Sequence, residues 1–342
     1  MTARNEPLSV PILASVGAVV IVLLPYWKQI LLAFAVAIAI VLAFTLKNFY
    51  LFQLTLALIY ALAILGLNLL TGYNGQFSLG HSAFFAIGAY TAAILMEQGN
   101  VPYYWTLPVA GFVCLVSGYL FGLPALRLEG IYLALATFAL ALAMPQLLKF
   151  TPLEHWTGGV QGIVLLKPDA PFGLNISSDQ WLWLFTVGVS IVMYVCAYQL
   201  IKSRTGRAMM AIRDNPIAAK SMGIDLSLYK SLTFGVSALY TGVAGALAAI
   251  VIAFVAPDSF TLVLAIGLFV GMVVGGAASI VGTLIGGLFV LYVPNVAEHF
   301  TKGLSGAMYG LILIGTIYLM PSGAAGLFRL TLHRLITRLA SR

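Results

Sequence analysis

Apolar runs long enough, or nearly long enough, to cross ~30 Å of hydrocarbon as helices follow one another down almost the whole chain. They fall at 10–26, 30–46, 51–70, 82–96, 104–123, 130–148, 180–200, 231–254, 262–275, 279–293 and 307–320. Only 8% of the 342 residues are charged, against 61% hydrophobic. A soluble domain so short of charge could not cover its own surface. Strands of ~10 alternating residues, the pattern of an outer-membrane barrel, are absent. The expected fold is therefore an all-α polytopic membrane protein, a bundle of about ten or eleven transmembrane helices. The runs at 262–275 and 279–293 are short and Gly-rich, and read either as half-helices or as one bent hairpin. Arg4 ahead of the first run gives it the look of a signal peptide, but no small-x-small site follows, so it reads as a retained span.

Lys and Arg in short connections set orientation. Six of the seventeen fall between Ile201 and Lys230, and Arg329, Arg334, Arg338 and Arg342 crowd the tail, so both segments are expected on the cytoplasmic side. Arg127 then lies inside, while 97–103 and 149–179 lie outside. Most of the net charge of +7 belongs to these helix ends, so the expected contact is membrane lipid and not nucleic acid. Cys114 and Cys196 lie within apolar runs and suggest neither a disulfide nor a metal site.

The middles of the runs hold almost no Asp, Glu, Lys or Arg, although ion-driven carriers usually keep an ionisable group near the midplane. No G-x-x-x-x-G-K-[ST] loop and no H-E-x-x-H motif occurs. No catalytic residue, metal site or bound cofactor is expected, and energy for uphill movement must enter from another subunit.

Three segments break the apolar pattern. In "LLTGYNGQFSLGHSAFFAIGAY", Gly75, Gln76, Ser78, Gly80 and His81 interrupt a span. Irregular backbone at membrane depth must be buried in protein or line a wet cavity, and broken helices build substrate paths in many transporters. An ordinary turn over 71–77, followed by a small-faced helix, is an equal reading. His81 has no acidic partner nearby and is expected to be a hydrogen-bonding residue. "GMVVGGAASIVGTLIGGLFV" spaces small residues for close helix packing. In the outer loop, Thr157, Gly158 and Gly159 follow the interfacial Trp156 and are candidates for an outer gate.

The basic loop contains helix punctuation. Asn215 is an N-cap, Pro216 suits the first turn and Gly223 the position past the end, predicting one short helix over 216–222. Ile217, Ala218, Ser221 and Met222 share a small apolar face while Lys220 points elsewhere, and Asp225 or Ser227 caps the next span. Such a stub fits a groove on another protein. An interfacial helix lying on lipid would prefer larger side chains.

Here the chain resembles a known family. "IAAKSMG" at 217–223 is similar to the EAA-x-x-x-G coupling pattern of ABC importer permeases, with Ile217 in place of Glu. "SRTGRAMMAIRDNPIAAKSMGID", "LNLLTGYNGQFSLGHSAFFAIGAYTAA", "LRLEGIYLALATFALA", "TGGVQGI" and "MPSGAAGLF" together resemble permease subunits of branched-chain amino acid importers, of the LivM type. The resemblance implies a type II importer arrangement over 51–328, with variable spans in 1–50 and a basic cytoplasmic tail at 329–342. It implies a multi-pass protein of the bacterial inner membrane with its C-terminus in the cytoplasm. The implied partners are a homologous LivH-like second permease, two cytoplasmic ATPases that use ATP and Mg²⁺, and a periplasmic solute-binding protein. It makes Arg213, Asp214, Asn215, Pro216, Ile217, Ala218, Ala219, Met222 and Gly223 the ATPase-coupling residues. Branched-chain amino acids are the implied solute; urea, amides and other amino acids are carried by similar permeases. The alternative is a self-contained channel or facilitator for a small solute, which would not need the capped loop helix.

Overall fold

The computed structural model describes residues 27–126, 128, 130–171 and 176–300, and near the C-terminus 310–311, 314–315, 318 and 323–326. The run at 10–26, Arg127, most of 307–320 and the tail 329–342 lie outside the described residues. The chain divides into two compact units, Met1–Lys47 and Asn48–Arg342. The first contributes one described helix, α1 (Trp27–Thr45).

The described residues of the second unit are helical almost throughout. In order it forms α2 (Asn48–Leu67), a π-helical extension (Asn68–Tyr73), α3 (His81–Glu97), α4 (Tyr103–Ala125) and α5 (Ile131–Leu148). A 3₁₀ turn (Thr151–Leu153), α6 (Glu154–Thr157) and β1 (Ile163–Val164) lead to α7 (Ser178–Lys202). Then come α8 (Arg204–Asp214), α9 (Pro216–Ser221), α10 (Leu226–Ile252), β2 (Phe254–Val255), a 3₁₀ turn (Pro257–Phe260), α11 (Leu262–Gly275) and α12 (Ile280–Phe300). Among the described residues, five segments are long and apolar enough to span a bilayer: Asn48–Tyr73, Tyr103–Pro124, Ile131–Leu148, Ser178–Lys202 and Leu226–Ile252. This is a multi-pass helical membrane protein.

α2, α3 and α10 form the centre, with α4 packed on the outside of α3 and α10. Lipid gives apolar helices no hydrophobic drive to associate, so close van der Waals contact must supply the cohesion. Small residues supply it here. A Cβ on Gly88 of α3 would collide with the Gly242 carbonyl of α10, and one on Gly245 with the Phe85 carbonyl. The same packing joins α11 to α12, where Gly275 and Gly282 meet backbone to backbone. The Gly-rich stretch is thus a helical hairpin with a four-residue turn. Its first arm, 14 residues and about 21 Å at 1.5 Å per residue, is shorter than the hydrocarbon layer.

Two boundaries differ from the sequence-based expectation, and two short strands pair where none was expected. α2 does not end at 70 but continues to Tyr73 with wider turns. α10 begins at Leu226, five residues before 231, because Asp225 accepts from Ser227 N (2.9 Å) and Leu228 N (3.2 Å). β1 and β2 pair antiparallel, Ile163 with Val255 and Val164 with Phe254, joining two loops at the end of the bundle opposite α8 and α9.

Candidate functional site

The interrupted helix and the basic loop meet at one end of the bundle. The interruption starts where Asn68 turns its side chain away from its own helix. Its Nδ2 donates to the Ser279 carbonyl (2.9 Å), and its Oδ1 accepts from Ala278 N (2.8 Å). Asn68 is fully buried, so these bonds satisfy a carboxamide that lipid could not. Gly72 leaves room for this: a Cβ there would collide with Asn68 Oδ1. π-type turns of this kind often mark functional sites.

Beyond Tyr73 the chain turns with Gly75 at φ +75°, a conformation that favours glycine. Thr71 Oγ1 donates to the Gln76 carbonyl (2.9 Å), and Gln76 Nε2 donates to the Lys230 carbonyl on α10 (3.2 Å). Ser78, Gly80 and His81 then start α3. Ser237 Oγ donates its only proton to the Gly66 carbonyl (2.7 Å), so at 2.7 Å from His81 Nε2 it must accept. The neutral ring then accepts at Nδ1 from Ser78 Oγ (3.1 Å). His81 therefore ties α2, α3 and α10 together.

The loop from 201 to 230 holds two helices where one was expected. α8 is capped by Ser203, whose Oγ accepts from Gly206 N (3.3 Å), and it buries Ala208, Met209 and Ile212. α9 is built as its punctuation predicts. Asn215 Oδ1 accepts from Ile217 N (3.1 Å) and Ala218 N (3.0 Å), Pro216 opens the first turn, and Gly223 lies beyond the end at φ +81°. Ile217 and Met222 are 80% and 83% exposed, and Ala218 is exposed beside them. Ala219 is a correction. It is only 4% exposed, buried by this chain where α9 packs on α8 and α10, so it cannot touch the wall of a partner's groove.

Arg213 connects the two segments. Its guanidinium donates to the Gly72 carbonyl (3.0 Å) and pairs with Asp214 (2.9 Å). A Cβ on Gly75 would lie 3.0 Å from Arg213 Cγ. A cavity of about 200 Å³ lies between Asn74, Gln76, Gly130, Ile212, Arg213 and Pro216. The loop is thus bonded to the interrupted helix at Gly72 and Gln76.

The third candidate segment lies at the opposite end. Thr157 is buried, donating to the Leu148 carbonyl (2.8 Å), and its Oγ1 accepts from Gly159 N (3.2 Å). Gly158 and Gly159 have φ of +71° and +56°. The segment runs on into β1 and hence onto β2. Nearby Lys149 Nζ pairs with Asp258 Oδ1 (2.5 Å).

Comparison with known proteins gives the family. The family described as the permease component of the branched-chain amino acid transport system matches residues 49–317. The chain belongs to that family. Among curated permeases, the high-affinity branched-chain amino acid transport system permease protein LivM of Escherichia coli K12 is 29% identical over 291 residues, 78% of this chain. The protein of the same name from Salmonella typhimurium LT2 gives the same figures. A probable branched-chain amino acid transport permease protein LivH of Methanocaldococcus jannaschii is 26% identical over 301 residues, 82% of this chain and 94% of its own. The match spans 66% of the length of each LivM relative. No solved structure matches the chain. Sequence reasoning missed two features of this chain, the Asn68 clamp and α8. An Asn within an otherwise apolar run and a Ser ahead of Arg204 were the signals.

Proposed function

We propose that this chain is the permease subunit of an ATP-driven importer and forms half of a translocation pathway for branched-chain amino acids. The reading rests above all on α9: an exposed apolar face, Ile217, Ala218 and Met222, on an elbow bonded through Arg213 to the interrupted helix. In this reading the 201–230 loop and the C-terminus face the cytoplasm of a bacterium, across its inner membrane. Two ATPase subunits bind ATP and Mg²⁺ and grip α9, and this chain hydrolyses nothing. A homologous second permease completes the pathway, and a solute-binding protein delivers substrate at the periplasmic end, where Thr157, Gly158 and Gly159 form the outer gate.

The test is the double variant Ile217→Asp/Met222→Asp, whose side chains replace exposed ones. It is expected to reach the membrane at the wild-type level. ATPase copurification should fall by about thirtyfold, the loss of roughly 2 kcal/mol expected at an interface hot spot. Normal copurification with normal substrate-stimulated turnover would remove α9 as the transmission element.

A further inference from the structure

A second cavity, of about 90 Å³, lies beside β2 at the end of the bundle opposite α9. Tyr60, Phe85 and Phe260 wall it, Ile59 and Leu264 add aliphatic surface, and Ala89 and Ala249 keep the floor shallow. The rings form a chain, with centroids 6.3 Å apart for Tyr60 and Phe85 and 6.1 Å for Phe85 and Phe260. The exposed Ser259 stands at the mouth. We propose that this cavity binds the aliphatic side chain of an amino acid in transit, with its charged head at the Lys149–Asp258 pair.

The proposal rests on the importer reading and adds to it a place and a size limit. An enclosed apolar cavity of about 150 Å³ accommodates benzene, so this smaller, partly open one of about 90 Å³ suits a branched group of three or four carbons better than a phenyl ring. No charged side chain lines the cavity. A charge of each sign stands just outside, because Asp258 precedes Ser259 and is paired with Lys149 at 2.5 Å. A zwitterionic head carries the matching two charges, and entering between Lys149 and Asp258 it exchanges one ion pair for two. The roof is bonded to the proposed gate: β2 contributes Phe254 and Val255 to the cavity and pairs with β1, four residues past Gly159. Displacement of the gate segment, passed through this pairing to β2, would uncover the cavity from the delivery side.

The test uses the full chain in nanodiscs of defined phospholipid, with a diazirine analogue of leucine as probe and peptide mapping of the label. Label is expected on peptides holding Tyr60, Phe85 and Phe260, with leucine, isoleucine and valine competing and phenylalanine not. Ser259→Trp plugs the exposed mouth without touching the core and should cut labelling by about two hundredfold, matching four buried methylene-sized groups. Phe260→Ala widens the wall and should admit phenylalanine as a competitor. Equal competition by phenylalanine in the unsubstituted chain overturns the proposal, as does label unchanged by Ser259→Trp. Label displaced by oleic acid but not by leucine assigns the cavity to lipid and also overturns it. ATPase copurification keeps the two readings apart. A chain that brings ATPase but takes no label defeats only the cavity assignment; one that takes label but brings no ATPase defeats only the importer reading.

Discussion

Replacing Asn68 with Leu removes the clamp on the α11–α12 turn while nearly preserving volume. The buried carboxamide donates to Ser279 O and accepts from Ala278 N, at 2.9 and 2.8 Å. Both backbone groups would be left without that partner. Two lost hydrogen bonds, with part of the cost of a buried unpaired group, come to about 2–4 kcal/mol. The turn has a second weak point, because Ala278 holds φ at +57°, a conformation that costs a non-glycine residue roughly 1 kcal/mol. The loss should therefore be local before it is global. Hydrogen exchange at the Ala278 amide is the direct assay, and about 2 kcal/mol of lost protection corresponds to a rate about thirtyfold faster. Ala278→Gly in the Asn68→Leu background should recover about 1 kcal/mol by relieving the backbone. If the amide in the folded Asn68→Leu protein exchanges within about threefold of the parent rate, under ~0.7 kcal/mol, Asn68 is not what holds the hairpin closed.

Further outcomes follow from the same geometry. Ala219→Trp should lower the folded yield, since overpacking a buried site costs about 1–3 kcal/mol; wild-type thermal stability in detergent would contradict its burial. Gly75→Val places a β-branched residue at φ +75° against Arg213, and Gly80→Val crowds the Thr137 carbonyl at 3.0 Å. Uptake should fall in both at matched membrane level, and normal uptake in both would favour an ordinary turn. A Cβ at Gly223 meets no atom within 4 Å, so Gly223→Tyr should cost mainly about 1 kcal/mol of backbone strain, with Gly223→Asn milder. Fraying of α9 by hydrogen exchange measures it, and equal protection in both variants would refute it. The purified chain should turn over no ATP, and hydrolysis persisting after every partner subunit is removed would overturn the assignment of chemistry to partners.

What could be read in the sequence was what is decided locally. An apolar run spans a membrane whatever its neighbours do, and the caps at Asn215 and Asp225 act within three residues. What escaped was decided at a distance. The bond from Asn68 to Ser279 crosses 211 positions, and β1 meets β2 only after α7 to α10 have intervened. Ala219 looked like its exposed neighbours because a six-residue helix has too few turns to reveal its inner face. α8 was hidden by Arg204, Arg207 and Arg213, which make the segment look like a solvated loop although Ala208, Met209 and Ile212 give it a buried side. Asn215, Ile217 and Gly223 were therefore found from pattern alone, while the route from them to the interrupted helix through Arg213 and Gly72 was not.

The meeting of α3 with α10 at Gly88 and Gly242 makes the bundle sensitive to distance in a way that an interlocked core is not. Dispersion is short-ranged, and a gap of only 0.5–1 Å forfeits about a quarter to a half of each contact. A single methyl group at the crossing acts as a wedge, lifting one rod off the other along its length and loosening atoms several turns away. The harm from such a substitution should scale with the length of helix lifted, not with the volume added. Alanine at Gly88 should do nearly as much damage as valine.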